Sequence, residues 1–410
     1  MAKIKAFSGI RPKEGLEKRI AALPYDVYSR AEAKEQIQKE PLSFLKIDRA
    51  ETGLDESIPF DDPQVYEMAH RLLWGMVEKG EFIRDDNPCL YLYEQSMGSR
   101  SQTGLVACAS ADDYQSGVIK KHENTRADKE EDRIHHVDVC NAQTGPIFLA
   151  YRSRPELQDI FAEIKKEEPL FSFVSEDGIG HRGWKISEDE TIEKITEIFE
   201  KIDNIYIADG HHRAASAVKV CEKRRKEHPD YTGKEEFNYF LSVLFPGEEL
   251  YIMDYNRVVK DLNGLTEAEF LQRIQEKFEV ETRTEAYHPE EKGKLGLYLE
   301  NQWYALTVKP EFEQEDPVLG LDVSILQNEV LAPILGITDP KTDTRIGFIG
   351  GIRGLDELER RVHTDCKAAF AMYPTSIEEL YRVADQGLLM PPKSTWFEPK
   401  LRSGLFIHEL

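Results

Sequence analysis

Along the whole chain, segments in which hydrophobic and polar residues alternate as in a strand lie between segments of helical spacing. Strand-like patterns occupy residues 3–10, 89–94, 104–111, 117–121, 239–245, 249–254 and 297–306. Helical patterns occupy residues 29–40, 63–79, 130–142, 155–167, 190–201, 214–226 and 322–335. This mixture predicts an α/β fold of the mixed α+β kind, not an all-helical or all-strand fold.

A charged stretch at residues 224–236, which contains Pro229 and Gly233, separates two groups of these elements. It predicts a domain boundary, with one domain at 1–230 and a second, α+β domain at 231–410.

Three local patterns in the second half predict connections. Pro246 and Gly247 predict a hairpin-like link between the strands 239–245 and 249–254, and Asp322 is expected to cap the helix that it begins. The glycine-rich residues 347–354 match neither the dinucleotide fingerprint nor the P-loop. They predict a tight turn between a strand and a helix.

Composition excludes several classes of protein. The chain has 410 residues, 40% of them hydrophobic, which is enough for a large core or for two domains. Its net charge of −23 disfavours binding to a nucleic-acid backbone, so no nucleic-acid partner is expected. No apolar run reaches the ~18 residues of a membrane span, and the first residues lack a signal-peptide pattern. We therefore expect a cytoplasmic location and no membrane partner.

The clearest candidate for chemistry is the segment 204–220, which reads as a short apolar strand, a glycine turn and an alanine-rich helix. Asp209, Gly210, His211, His212 and Arg213 form the turn. A helix N-terminus offers unpaired N–H groups and a positive dipole end, and an arginine fork can hold phosphate oxygens. An Asp-Gly turn that merely caps a helix is the plain structural interpretation, but the density of polar groups favours a phosphate cradle.

Three other polar clusters are candidates to complete a site. Residues 120–125 include His122, Glu123 and Thr125, and are followed by Lys129, Asp132 and Arg133. Glu123 can accept a proton from a hydroxyl nucleophile, although a solvated loop explains the same residues. Asp26 follows a proline in the loop after the first strand. Lys393, Ser394 and Thr395 suit a phosphate or an anionic substrate, although Trp396 and Phe397 could simply pin that segment to the surface.

A tightly bound metal is not expected. His135, His136, Asp138 and Cys140 do not share one helix face, and the five cysteines are scattered, as expected of reduced core residues. Magnesium that arrives with a nucleotide is more plausible, because it keeps waters and needs only one or two protein carboxylates.

The turn Asp209–Arg213, with Ala214 and Ala215 opening the helix, resembles the phosphate-binding element of the ParB/sulfiredoxin-like superfamily. In sulfiredoxin a cysteine occupies the position of His211, so that chemistry is not implied here. ParB proteins bind DNA through a helix-turn-helix region, and the sequence shows no helix-turn-helix pattern. The free-serine-kinase branch, which holds nucleotide phosphates with the same turn, is the most similar.

More broadly, five motifs together resemble a full-length bacterial and archaeal family of unknown function. They are Pro24-Tyr-Asp-Val27, His122-Glu-Asn-Thr125, Ala208-Asp-Gly-His-His-Arg213, Tyr255-Asn-Arg-Val258 and Pro392-Lys-Ser-Thr395. The resemblance implies a ParB/sulfiredoxin-like core with large insertions and a C-terminal region whose final loop returns to the site.

The resemblance and the residues together predict phosphoryl transfer from ATP or ADP, with Mg²⁺, to a hydroxy amino acid, free L-serine first. The predicted nucleotide ligands are Gly210, His211, Arg213, Lys393, Ser394 and Thr395. The catalytic candidates are Asp209, Glu123 and His212, and the substrate-binding candidates are Asp26, His122 and Thr125. A nucleotide-binding regulatory switch without kinase activity is the alternative. The oligomeric state, including a homo-oligomer, stays open.

Overall fold

The computed structural model describes residues 1–125 and 127–410, with residue 128 described by its backbone alone. The chain forms two compact units. The first contains Met1–Lys121, Thr125–Leu250 and Pro399–Leu410, and the second contains His122–Asn124 and Tyr251–Glu398. Both units contain helices and sheets, which confirms the mixed α+β prediction.

The elements of the first unit alternate along the chain. Its strands are β1 (Ile4–Lys5), β2 (Ile10–Pro12), β3 (Phe82–Arg84), β4 (Leu90–Met97), β5 (Arg100–Ser110), β6 (Ile119–Lys120), β7 (Ala142–Gln143), β8 (Ile147–Tyr151), β9 (Phe171–Val174), β10 (Gly180–Ile186), β11 (Ile205–Asp209) and β12 (Tyr239–Pro246). Its helices are α1 (Glu17–Ile20), α2 (Arg30–Lys39), α3 (Leu45–Asp48), α4 (Pro63–Glu78), α5 (Ala111–Ser116), α6 (Ala127–Cys140), α7 (Pro155–Ile164), α8 (Asp189–Phe199) and α9 (His211–Glu227). A last strand, His408–Glu409, pairs with β7.

One large mixed sheet organises the first unit, in the order β6-β11-β8-β12-β5-β4-β10-β9, with β1 paired to β5. β11 pairs parallel with β6, and β12 pairs parallel with β8, while the other neighbours are antiparallel. Strand β11 is a continuous apolar run, buried from Ile205 to Ala208, as expected for a strand covered on both faces. The core between this sheet and its helices includes Leu149, Phe199 and Ala214.

A second hydrophobic cluster packs α2, α3 and α4 together. Helix α2 begins with a capping box of Ser29 and Glu32, and α4 begins after Asp62, with Pro63 as its first residue. Both helices match the patterns at 29–40 and 63–79. Val65, Ala69 and Leu73 face the cluster, because residues three and four apart share one helix face.

The predicted domain boundary at 230/231 lies inside the first compact unit. Strand β12 follows that boundary and pairs with β5 on one side and β8 on the other, so it is an interior strand of the first sheet. The chain passes to the second unit between Leu250 and Tyr251. The predicted hairpin is wrong, because the next strand, Tyr251–Met253, pairs with Trp396–Glu398 and not with β12.

The second unit contains strands β13 (Tyr251–Met253), β14 (Tyr255–Val259), β15 (Phe278–Arg283), β16 (Lys294–Leu299), β17 (Gln302–Val308), β18 (Ile346–Gly350), β19 (Ala368–Ala371) and β20 (Trp396–Glu398), and helices α10 (Glu267–Lys277), α11 (Asp322–Leu326), α12 (Leu355–Thr364) and α13 (Ile377–Asp385). Its antiparallel sheet has the order β15-β17-β16-β19-β14-β18. The glycine-rich residues after β18 form the predicted turn into α12.

Two predictions in this unit need correction. The strand pattern at 297–306 is two strands, β16 and β17, joined by Glu300 and Asn301, whose positive φ angles of 47° and 63° fit a tight hairpin turn. The helix expected at 322–335 is α-helical only to Leu326 and continues as a π-helical turn, Gln327–Leu331. Asp322 does not cap it, because Leu321 holds the N-cap position.

Two general expectations bear on these units. All five cysteines are buried thiols, as predicted. Within the described part of the chain, no helix is both long enough and apolar enough to cross a membrane.

Candidate functional site

The predicted phosphate turn lies between β11 and α9. Gly210 has a φ of +93°, a left-handed conformation that suits glycine, and α9 begins immediately after it and runs for 17 residues. The helix starts three residues earlier than the pattern predicted. Because the N-cap residue is glycine, no cap side chain covers the first-turn amides, and the positive end of the helix dipole lies at this turn.

Arg213 folds back over the turn. Its Nη1 donates a hydrogen bond to the carbonyl oxygen of Pro146 at 2.5 Å, just before β8. A Cβ atom added to Gly210 would lie 3.1 Å from Nε of Arg213. The guanidinium therefore packs tightly over Gly210, and its hydrogen bond ties the turn to the segment just before β8.

Asp209 is the charged centre of the turn. Its Oδ1 accepts the N–H of Gly210 at 2.9 Å, while Oδ2 lies 3.4 Å from Nζ of Lys400 and 3.9 Å from Nη2 of Arg213. Burial alone would raise the pKa of Asp209, but the charges of Lys400, Arg213 and His211 lower it well below its ordinary value. Asp209 is therefore ionised at neutral pH and is a weak proton acceptor.

Arg213 also faces a cavity of about 30 Å³. Four of the residues that line this cavity, Tyr25, Asp48, Arg133 and His136, also line a cleft of about 580 Å³. The cavity beside Arg213 therefore adjoins the cleft, although the residues of the turn do not themselves line the cleft. Two residues singled out in the sequence, Asp26 and Lys129, line the cleft, and Asp26 is exposed.

Arg133 gives the cleft a buried positive charge. Its Nε donates to Asp132 at 2.9 Å and its guanidinium lies 4.1 Å from the centre of the Tyr25 ring. Burial would lower the pKa of Arg133, but Asp132, Tyr25 and Asp48 raise it above its ordinary value. Burial and the charge of Arg133 lower the pKa of His136 to about 4, so this imidazole is neutral at pH 7.

Thr125 and His212 lie near another carboxylate of the first unit, that of Glu130. Thr125 Oγ1 donates to Oε2 of Glu130 at 2.7 Å, and Lys219 pairs with the other carboxylate oxygen. Ser216 Oγ lies 2.6 Å from the carbonyl oxygen of His212 and 3.1 Å from that of Glu130, which ties α9 to α6.

The other predicted residues belong to the second unit, and two of them meet there. His122 Nε2 lies 3.3 Å from Oγ1 of Thr395. The Lys393 carbonyl accepts a hydrogen bond from Arg257 at 3.0 Å. The Ser394 hydroxyl donates to the carbonyl of Pro391 at 2.7 Å, so it serves the loop itself. Glu123 is half-buried beside His122 in the chain.

Sequence reasoning missed Lys400 and Asp48. Lys400 lies 191 residues after Asp209, and only the folded chain brings it to the turn. Its nearest sequence signal was the basic, proline-rich segment that also contains Lys393. Asp48 lies at the end of α3 in an apolar stretch, and nothing local marks it as a wall of the cleft.

The described residues contain no group of three or more His, Cys, Asp or Glu side chains placed to hold a metal ion.

Several solved structures are similar to this chain at low identity. A free serine kinase in complex with AMP is 15% identical, covers 74% of this chain and 91% of its own, and has a TM-score of 0.37. A mutant of a free serine kinase in complex with ADP is 16% identical, with the same coverage and a TM-score of 0.36. A conserved hypothetical protein from Pyrococcus furiosus is 16% identical, covers 74% of this chain and 95% of its own, and has a TM-score of 0.34.

No curated protein is significantly similar to the chain. The family model described as "Protein of unknown function (DUF1015)" matches residues 4–324, which is most of the chain. The chain therefore belongs to the DUF1015 family.

Proposed function

We propose that this protein is a nucleotide-dependent small-molecule kinase that phosphorylates free L-serine to O-phosphoserine. The observation that carries the proposal is the turn at Gly210, where a 17-residue helix begins without a side-chain cap and the Arg213 guanidinium lines a cavity that shares four wall residues with the cleft. Both groups bind phosphate well, and together they suit the terminal phosphates of ATP or ADP.

In this proposal the turn binds the phosphates. Gly210, His211 and Arg213 surround them, and Lys400 supplies a further positive charge 3.4 Å from Asp209. Asp209, held ionised by its neighbours, is the carboxylate available to Mg²⁺. Catalysis then comes mainly from positioning and from neutralising charge on the transferred group.

The cleft suits an amino acid as the acceptor. A free amino acid carries an ammonium and a carboxylate, and the cleft is lined by side chains of both charges. Asp26 and Asp48 are the acidic residues, and Arg133 and Lys129 are the basic ones. The assignment to serine rests on the resemblance of the turn to the free-serine-kinase branch. Membership of the ParB/sulfiredoxin-like superfamily stays a prediction.

The reaction needs one proton acceptor. The serine hydroxyl oxygen bonds to the terminal phosphorus, the bond from phosphorus to the bridging oxygen breaks, and the nucleotide leaves one phosphate shorter. The hydroxyl proton passes to a base. The lowered pKa of Asp209 makes it a poor base, which leaves Glu123 and His212 as candidates. The roles of His122 and Thr125 at the substrate, and of Lys393, Ser394 and Thr395 at the nucleotide, stay predictions.

The test is an assay of the purified protein with ATP or ADP, magnesium and L-serine, in which O-phosphoserine is detected by mass spectrometry. Arg213→Lys keeps the charge but loses the planar fork, and Arg213→Met removes both, so activity should fall in that order. Arg345→Lys, far from the turn in sequence and paired with Asp343, is the matched control. Absence of product with every hydroxy amino acid would overturn the proposal, and nucleotide binding without product would favour the regulatory switch.

A further inference from the structure

Arg257 is a buried cation whose charge is not balanced by any acidic side chain that the structure describes. It lies on β14 and is 3% exposed. Its Nη2 donates to the carbonyl oxygen of Lys393 at 3.0 Å, its Nη1 donates to the carbonyl oxygen of Tyr255, and its guanidinium lies 5.5 Å from the Phe348 ring centre. Among the residues that the structure describes, no carboxylate influences the charge of Arg257; the influences found are its burial and Tyr255.

This arrangement is unusual for a buried charge. Burial lowers the pKa of Arg257 to about 10, which still leaves the guanidinium protonated at neutral pH. Buried charges are normally paired, because carbonyl dipoles replace only part of the lost hydration. The chain carries 76 acidic and 53 basic residues, so the lack of an acidic partner for Arg257 does not reflect a shortage of acidic residues. An oxyanion from outside would complete the pair.

The loop that contacts Arg257 carries further polar groups. Lys393 has a φ of +62°, a left-handed conformation that is uncommon for a residue with a Cβ atom, and its exposed side chain places Nζ 5.7 Å from the Tyr255 ring centre. Thr395 Oγ1 lies 3.3 Å from the His122 imidazole. The loop is held in this shape by the Met390 N–H, which donates to the His122 carbonyl at 2.8 Å.

We propose that the second unit contains an oxyanion-binding site of its own, formed by Arg257, Lys393 and Thr395, which takes the carboxylate or phosphate group of a small ligand. Arg257 provides the buried charge, Lys393 the exposed charge, and Thr395 a hydroxyl donor. The proposal gives Lys393 and Thr395 a role other than the nucleotide contacts predicted from the sequence, and it can hold whether or not the Gly210 turn of the first unit binds a nucleotide.

The experiment uses the full chain labelled with ¹⁵N-arginine. The Nε–H resonance of Arg257 is assigned by its loss in Arg257→Lys, and inorganic phosphate and acetate are then titrated separately at constant ionic strength. We expect a saturable shift of this resonance with at least one anion. Saturation by phosphate alone identifies a phosphate site, and saturation by acetate alone identifies a carboxylate site.

Two variants separate this site from the turn and from general charge effects. Lys393→Met should lower the affinity of the Arg257 site for the anion by about tenfold or more, because one charge-assisted hydrogen bond is lost. Arg213→Met, in the first unit, and the control Arg345→Lys should leave the affinity unchanged. No saturable shift with either anion, or equal affinities in wild type and Lys393→Met, would overturn the proposal. Arg257 would then only hold the loop in place through its hydrogen bond to the Lys393 carbonyl.

Discussion

At the scale of single residues, the Gly210 turn shows how much a local sequence pattern can predict. The five residues Asp209–Arg213 are consecutive, so their chemistry was visible without knowledge of the fold. Lys400 and Asp48 were not visible, because they reach the turn and the cleft through tertiary packing. Only spatial proximity, which sequence spacing does not encode over 191 residues, reveals the lysine.

Gly210→Ala should destabilise the protein more than the same change at Gly178. Both glycines have positive φ angles, +93° and +79°, which cost an alanine about 1–2 kcal/mol. A Cβ at Gly178 would meet no atom within 4 Å, whereas at Gly210 it would press on the Arg213 guanidinium. Urea unfolding followed by tryptophan fluorescence measures both losses of free energy. Equal losses of unfolding free energy in the two variants would show that the Arg213 side chain moves away from the new Cβ atom without destabilising the protein.

The environment of Asp85 should make the free energy of unfolding depend on pH. It accepts hydrogen bonds from Arg11 at 3.0 Å, Lys185 at 2.8 Å and Tyr91 at 2.6 Å. Burial would raise the pKa of Asp85, but these partners lower it below its ordinary value. The ionised carboxylate therefore stabilises the fold above pH ~4, and this stabilisation is lost as the pH falls through the lower, folded pKa.

Asp85→Asn should accordingly lower the free energy of unfolding by about 3 kcal/mol at pH 7, because it leaves two cations without their partner. The difference from wild type should shrink as the pH falls below ~4, as measured by chemical unfolding at a series of pH values. A difference that stays constant over this range would show that packing, and not charge, makes Asp85 important.

At the scale of elements, periodic helices were predicted closely and strand pairings were not. Helices α2, α4 and α6 match their patterns within three residues at either end, because amphipathic spacing and caps are local signals. The pairing of β12 with β5 and β8 depends on residues more than 80 positions away, so the proline and glycine after β12 falsely indicated a hairpin. Strands β9 and β10 were missed as well.

Asp322 was expected to cap α11, and its actual environment predicts the opposite pH dependence to Asp85. Its carboxylate accepts the Gly293 N–H at 3.0 and 3.2 Å, and burial raises the pKa of Asp322 to about 7. The neutral acid is therefore favoured in the folded state, and its contribution to stability is lost as the pH rises from ~4 through 7.

Asp322→Asn stays neutral at every pH and should gain stability over wild type as the pH rises, by up to about 1.4 kcal/mol per pH unit within this window. Thermal unfolding between pH 5 and pH 8 measures the trend, with Asp343→Asn, a surface acid paired with Arg345, as the control. Parallel curves for wild type and Asp322→Asn would contradict the raised pKa.

At the scale of the whole molecule, the second unit begins and ends side by side. Tyr251 and Glu398 are directly paired in the β13–β20 ladder, at two of the points where the chain passes between units. Residues after Glu398 return to the first unit, where Leu405, Phe406 and Ile407 are buried. The predicted division at 230/231 placed residues 231–250 with the second domain, whereas they belong to the first compact unit, and the chain passes between the units several times.

We therefore expect that residues 251–398 can be replaced by a short Gly-Ser linker that joins Leu250 to Pro399, because paired strands lie about 5 Å apart. The shortened chain should be soluble and unfold cooperatively, as judged by circular dichroism. A chain that ends at Glu398 should not fold its first unit, since it lacks three buried apolar side chains of that core. Failure of the linked chain together with stability of the truncated one would contradict this description.

The contact of Lys400 with Asp209 has a consequence for biosynthesis. At ordinary elongation rates of about 5–20 residues per second, a ribosome that has finished the turn needs roughly 10–40 seconds more to translate the lysine that completes it. During that interval the nascent chain displays the turn without one of the cationic neighbours of Asp209, and the first unit lacks the buried apolar side chains of residues 405–407. Completion of the turn's charge balance thus has to wait until residues 251–398 of the second unit have been synthesised.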